Sequence, residues 1–89
     1  MNVQIKKFGK LLISRPAGKE AFAVALAYIF PKDMKEITLD FEGVDVLAPS
    51  WADEFITGIK SNYKDIKINF INTENESVKV TLDLLSSIN

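Results

Sequence analysis

The run ITLDFEGVDVLAPSWADEFITGI, from Ile37 to Ile59, changes its hydrophobic period partway along, and few folds accommodate that change. Ile37, Leu39 and Phe41 alternate with Thr38 and Asp40, the two-residue period of a strand whose faces differ. Glu42 and Gly43 turn the chain. Val44, Val46 and Leu47 then carry apolar anchors up to Pro49, whose missing N–H does no harm in the first turn of a helix. Trp51, Phe55, Ile59 and Tyr63 recur every fourth residue with Ala52 and Ile56 beside them, while Asp53, Thr57 and Lys60 fall away from that face. A buried strand running into an amphipathic helix is half of a parallel β-α-β crossover, and open α/β sheets keep their working surface at the carboxyl ends of such strands. Ser50 stands on that junction and is therefore the first candidate functional residue.

The flanking sequence extends the alternation. Val3 to Lys7 and Leu11 to Ser14 read as short strands joined across Gly9 as a hairpin, and Arg15, Pro16, Ala17 and Gly18 break the second strand. Ala17 to Phe30 reads as a helix with Phe22, Leu26, Ile29 and Phe30 on one stripe, ended by Pro31. Its other side carries Val24, Ala27 and Tyr28 where a solvent face normally carries charge, so those residues face either a second layer or another molecule. Ile66, Ile68 and Phe70 alternate with Lys67 and Asn69 as a further strand. The last block alternates like a strand at Val78, Val80, Leu82 and Leu84, yet Val78, Leu82 and Leu85 also mark a helical face. Thr73 with Glu76 three residues on fits a capping box and favours the helix. The expected order is ββαβαβα: a mixed, mostly parallel four-stranded sheet with helices packed against it and an antiparallel edge from the first hairpin.

A chain of 89 residues is expected to form one domain over residues 1–89, and its 47% apolar content suffices for a packed core. Eleven Lys and Arg against twelve Asp and Glu give no basic surface for nucleic acid or anionic membrane. With no Cys and no His, thiol chemistry is excluded and the usual metal ligands and commonest general base are missing; neither a metal nor a cofactor is expected. The amino terminus lacks the pattern of a signal peptide, and the apolar run from Ala21 to Phe30 is far shorter than the roughly 20 residues of a membrane span, so the expected location is cytoplasmic.

Each candidate residue has a structural reading beside the functional one. Ser50 is either an N-cap, accepting from the N–H of Asp53, or a modifiable hydroxyl whose phosphate would meet a helix dipole but also the carboxylates of Asp53 and Glu54. Asp53 and Glu54 diverge by about 100° on a helix and do not form a catalytic pair; they read as solvated charges. Asp40 is by default a satisfied structural carboxylate, and alternatively the organiser of the turn from Ala48 to Ser50 through its N–H groups. Trp51 is either core or a half-exposed docking anchor.

The LDFEGV strand and turn, the serine at the junction in APSWADEF and the closing strand and helix together resemble the STAS and STAS-like domains, the fold of the bacterial anti-sigma factor antagonists. The resemblance covers nearly the whole chain. It is nearest to the branch whose helix opens Ser, aromatic, Ala, Asp, Glu, matched by Ser50, Trp51, Ala52, Asp53 and Glu54, and Arg15 before the first helix suits that branch. It implies a noncatalytic regulatory module that docks on a protein partner, a histidine-kinase-like ATPase or an anti-sigma factor, through Ala48, Pro49, Ser50, Trp51, Asp53 and Glu54. In the better-known antagonists a serine in an Asp-Ser-Ser-Gly turn is phosphorylated by that kinase, which breaks the complex. Ser50 matches the acceptor serine, while Ala48, Pro49 and Trp51 replace its neighbours. Asp40 and Gly43 are then structural, holding the turns. The alternatives are self-association through the back of the first helix around Val24 and Tyr28, and a small-ligand or enzyme subunit using the mouth beside Asp40 and Ser50. The latter lacks a His to activate Ser50 and a glycine-rich phosphate loop.

Overall fold

The computed structural model describes residues 1–88. Among them the chain forms β1 (Asn2–Gln4), a 3₁₀ turn (Ile5–Phe8), β2 (Leu11–Leu12), α1 (Arg15–Tyr28), β3 (Glu36–Asp40), β4 (Val46–Leu47), α2 (Pro49–Asn62), β5 (Lys67–Ile71) and α3 (Glu76–Ile88). The strands make two small sheets, ordered β1-β3-β5 and β2-β4, and every pairing is parallel. This corrects the expected mixed four-stranded sheet. The first two strands do not form a hairpin, because the Gly9 N–H closes the 3₁₀ turn onto the carbonyl of Lys6 and Gly9 takes φ 127°, turning the chain into the other sheet. Ile5 and Phe8, which the hairpin reading put in or beside the first strand, become wedges: Ile5 is fully buried and the Phe8 ring packs on Phe55 at 5.3 Å.

The larger sheet has one apolar and one polar face. Val3, Ile37, Leu39 and Ile68 share the face under the helices, and the first three are buried. Asn2, Thr38 and Asn69 lie in register on the other face, as do Gln4 and Asp40, and the Asn69 amide donates to Glu36 at 2.8 Å and to Thr38 at 3.4 Å. The helices close one side only, around a core that includes Ala25, Phe30, Trp51, Phe55, Ile59 and Val78.

α1 meets α2 through small residues. Gly18, Ala21 and Ala25 form its buried side, and Leu26, expected on the core stripe, is exposed. The reason is Gly18, whose missing Cβ lets α1 rest against the backbone of Trp51 and rotates the helix about that contact. α1 also begins earlier than its Pro16 and Gly18 suggest. Ser14 caps it by accepting from the Ala17 N–H at 3.2 Å, and Pro16 fits the first turn.

At the other end Asn72 takes φ 55° after β5, and Asn75 caps α3 by accepting from the Val78 N–H at 3.0 Å. The expected Thr73–Glu76 box does not form, because the helix starts at Glu76, one residue after the asparagine that takes the cap position.

Candidate functional site

β2 and β4 lie side by side and parallel, with Leu12 opposite Leu47, and each runs directly into a helix. The amino termini of α1 and α2 therefore open next to each other at the carboxyl ends of paired strands, where aligned peptide dipoles and free N–H groups favour negative charge. Ser50 is the second residue of α2. The cap position belongs to Ala48, which offers no side-chain bond, and Pro49 opens the helix. The capping role considered for Ser50 is thus not realised. Ser50 is half-buried, and its hydroxyl has no hydrogen-bond partner among the described residues.

The neighbouring charge is arranged by Arg15. Its guanidinium reaches Asp53 at 3.0 Å and Glu54 at 3.5 Å, joining the first turn of α1 to the second turn of α2. The two carboxylates keep part of their surface in solvent, as expected of helix charges, and one long cation spans both. Thr57 also donates to Asp53 at 3.1 Å, and the bond from Arg15, followed by that from Thr57, holds the Asp53 carboxyl below its ordinary value of 3.8. The repulsion that Asp53 and Glu54 would exert on a phosphate at Ser50 is consequently offset at its source.

Around this corner the surface is apolar. Leu11 and Val46, partners across the β2–β4 pair, point outward with Ile13, and Leu11 is 64% exposed. Beside them an open groove of about 270 Å³ runs between β2 and α1, lined by Phe8, Leu11, Ala17, Val24 and Trp51 among others. Further along α1, Ala27 and Tyr28 are exposed, Tyr28 by 86%. Trp51 is not the half-exposed anchor that docking through its side chain requires. It is 2% exposed and its indole stacks on Phe55 at 5.1 Å, so it belongs to the core and only underlies the groove. Sequence reasoning missed Leu11, Ile13 and Val46 as surface groups. The alternation of Leu11 and Ile13 about Leu12 carried that signal once β2 is known to have one buried face.

Asp40 does not organise the turn from Ala48 to Ser50. Its carboxylate accepts from the Glu42 N–H at 3.0 Å and from the Asn72 amide at 2.9 Å, tying the end of β3 to the turn after β5. Gly43 completes the first of these turns at φ 84°. The Asn72 bond, then the Glu42 N–H and the nearby charge of Lys6, lower the Asp40 carboxyl from 3.8 against the opposing effect of burial. A folded-state pKa below the unfolded one adds stability that is fully present above the unfolded value and is lost as pH falls through the folded one. Asn72→Gly keeps the positive φ and removes the largest of these bonds. It is expected to be less stable than wild type at neutral pH, with the gap closing below pH 3.8, as urea midpoints across an acid series would show.

The turn from Val46 to Ala48 is instead held from α3. Ser77 Oγ accepts from the Leu47 N–H at 2.9 Å and donates to the Leu47 carbonyl at 3.3 Å, and buried Thr81 donates to the same carbonyl at 2.6 Å. Asn75 adds a bond to the Asp45 carbonyl at 3.1 Å. Two helical side chains thus take the place of a neighbouring strand on the far edge of β4. Polar residues at positions 77 and 81, one turn apart, were the only trace of this in the sequence.

Among the described residues no cluster of His, Cys, Asp or Glu could hold a metal ion, and no helix is long and apolar enough to cross a membrane. Helices on one face of small parallel sheets, and a serine-bearing strand-to-helix corner, define a STAS-like α/β protein. Residues 25–78, more than half of the chain, match the family described as a STAS-like domain of unknown function (DUF4325), and the chain belongs to that family. No curated protein and no solved structure gives a significant match.

Proposed function

We propose that this protein is a noncatalytic regulatory module that docks on a partner through the corner where α1 and α2 begin, with Ser50 as a phosphoacceptor that controls the complex. The reading belongs to the branch of STAS-like domains with a Ser-aromatic-Ala-Asp-Glu helix opening and to a partner of the histidine-kinase-like ATPase or anti-sigma class. The observation that carries it is half-buried Ser50, its hydroxyl unbonded among the described residues, on the uncapped first turn of α2, beside a second helix amino terminus and exposed Leu11, Ile13 and Val46. Ala48, Pro49, Asp53 and Glu54 complete the contact surface, and Trp51 supports it from within. In the transfer, Ser50 Oγ attacks the γ-phosphorus of ATP held by the partner, ADP leaves, and the hydroxyl proton passes to a base of the partner, since this chain has no His.

Incubating the protein with ATP and a purified histidine-kinase-like ATPase from the same cell is expected to add one phosphate, lost in Ser50→Ala. Ser50→Glu is expected to weaken binding to that ATPase by at least about tenfold through like-charge repulsion and desolvation. An unmodified intact mass together with unchanged Ser50→Glu affinity would contradict the proposal. Self-association through α1 is a second reading, favoured by the exposure of Val24, Ala27 and Tyr28.

A further inference from the structure

β5 is the outer strand of the larger sheet, paired on one side only. The Lys67 N–H donates to the Lys35 carbonyl and the Ile71 carbonyl accepts from the Phe41 N–H, so Lys67, Asn69 and Ile71 turn their backbone groups toward β3. By the alternation of a strand, the N–H and C=O groups of Ile68 and Phe70 point the other way. Among the described residues nothing takes them. Proteins normally blunt such an edge with proline, a bulge, several charges or a covering segment. β5 reads Lys-Ile-Asn-Phe-Ile, its one charge is at its first residue, and Phe70 and Ile71 are exposed. Alongside the edge a shallow pocket of about 100 Å³ is lined by Ile56, Phe70, Leu82 and Leu85, with Lys60 at its rim. β1, the opposite edge, is shorter and exposes Asn2 and Gln4.

We infer that this edge is a homodimer interface, in which β5 pairs antiparallel with β5 of a second copy across a two-fold axis at Asn69. In that register Ile68 lies opposite Phe70 of the second copy and Phe70 opposite its Ile68, so each outward N–H and C=O meets its complement. The sheets become continuous, in the order β1-β3-β5 and then the same strands reversed. The exposed part of the Phe70 ring is covered by the second copy's Ile68.

Charge selects the second copy and its direction. The start of β5 is flanked by Lys35, Lys64 and Lys67 against Asp65 and Glu36, an excess of one positive charge. Its end is flanked by Asp40, Glu42 and Glu74, with Lys6 the cation near Asp40. Antiparallel pairing sets the basic end of one copy on the acidic end of the other, whereas parallel addition would stack like ends. Lys64 lies in the turn before β5 and Glu74 in the loop after it, so antiparallel pairing sets Lys64 of each copy at the end of the seam where the other copy carries Glu74. Both are exposed and neither makes an ion pair or side-chain hydrogen bond among the described residues, so both can be reversed without disturbing the fold.

The wild-type protein is expected to sediment as a concentration-dependent dimer that weakens as salt is raised. Lys64→Glu should weaken the dimer about tenfold, since the two-fold axis repeats the change, and adding Glu74→Lys should restore it. By amide exchange, Ile68 and Phe70 should become protected as protein concentration rises. A monomer at every concentration, a dimer whose Ile68 and Phe70 amides exchange freely as packing through α1 would give, or a Lys64→Glu dimer as tight as wild type would each overturn the inference. Failure here would leave Ser50 phosphorylation untouched, because the corner and this edge share no residue.

Discussion

Trp51→Ala is expected to destabilise the fold by about 3–5 kcal/mol, as aromatic truncations in packed cores do. The indole is enclosed by Phe8 and Phe55, and α1 rests on its backbone at Gly18. Its removal opens a hole where the 3₁₀ turn, α1 and α2 converge. A domain of this size has only about 5–15 kcal/mol of total stability, so the variant should lie near its folding threshold at physiological temperature. The denaturant midpoint measures this directly. A midpoint equal to wild type would show that the tryptophan is not core. Any loss of partner binding in this variant is expected to follow unfolding, which makes it a poor probe of the docking surface; Leu11 and Ile13 are the residues for that purpose.

Gly18→Ala is expected to destabilise by roughly 1–3 kcal/mol, the range for overpacking a well-filled contact. At an open helical site the same change stabilises by up to about 1 kcal/mol, so the sign itself is the test. A methyl group here would lie 2.6 Å from the Trp51 carbonyl oxygen and 2.9 Å from its Cα, both backbone atoms that cannot swing aside. α1 would have to lift from α2, stretching the bond from Arg15 to Asp53. Gly58→Ala makes a useful comparison, because its methyl would meet the Phe22 ring at 2.8 Å, a side chain rather than a backbone. A smaller loss is expected there. Gly18→Ala raising the thermal midpoint would contradict the close approach of the two helices.

The parts of this fold visible in the sequence were those written as long periodic runs. The fourfold recurrence from Trp51 to Tyr63 and the alternation from Ile37 to Phe41 became α2 and β3, with the apolar residues of each on the buried side. The amino-terminal segment was misread because alternation over a few residues cannot separate a strand from a 3₁₀ turn with buried Ile5, and the deciding contacts are with α2, far away in sequence. The rotation of α1 was hidden for a similar reason, since hydrophobicity points to Leu26 while the contact is set by the absence of a side chain at Gly18. Ser50 was found where the strand-to-helix change placed it. Its freedom from a capping bond depends on the helix starting two residues earlier than a cap at Ser50 requires, at Pro49.

The salt bridge of Arg15 and the partners of Asp40 were beyond any local pattern. Asp53 and Arg15 are 38 residues apart, and Asn72 is 32 from Asp40. Such pairs exist because parallel sheets bring the ends of distant strands together.

The most direct test of the docking corner is a titration of the isotope-labelled protein with a purified histidine-kinase-like ATPase of the kind proposed as its partner, followed residue by residue through backbone amide signals. The account predicts that Leu11, Ile13, Arg15, Val46 and Ser50 shift first, and that phosphorylating Ser50 reverses those shifts. Shifts confined to β5 and α3, or none at stoichiometric partner, would contradict it.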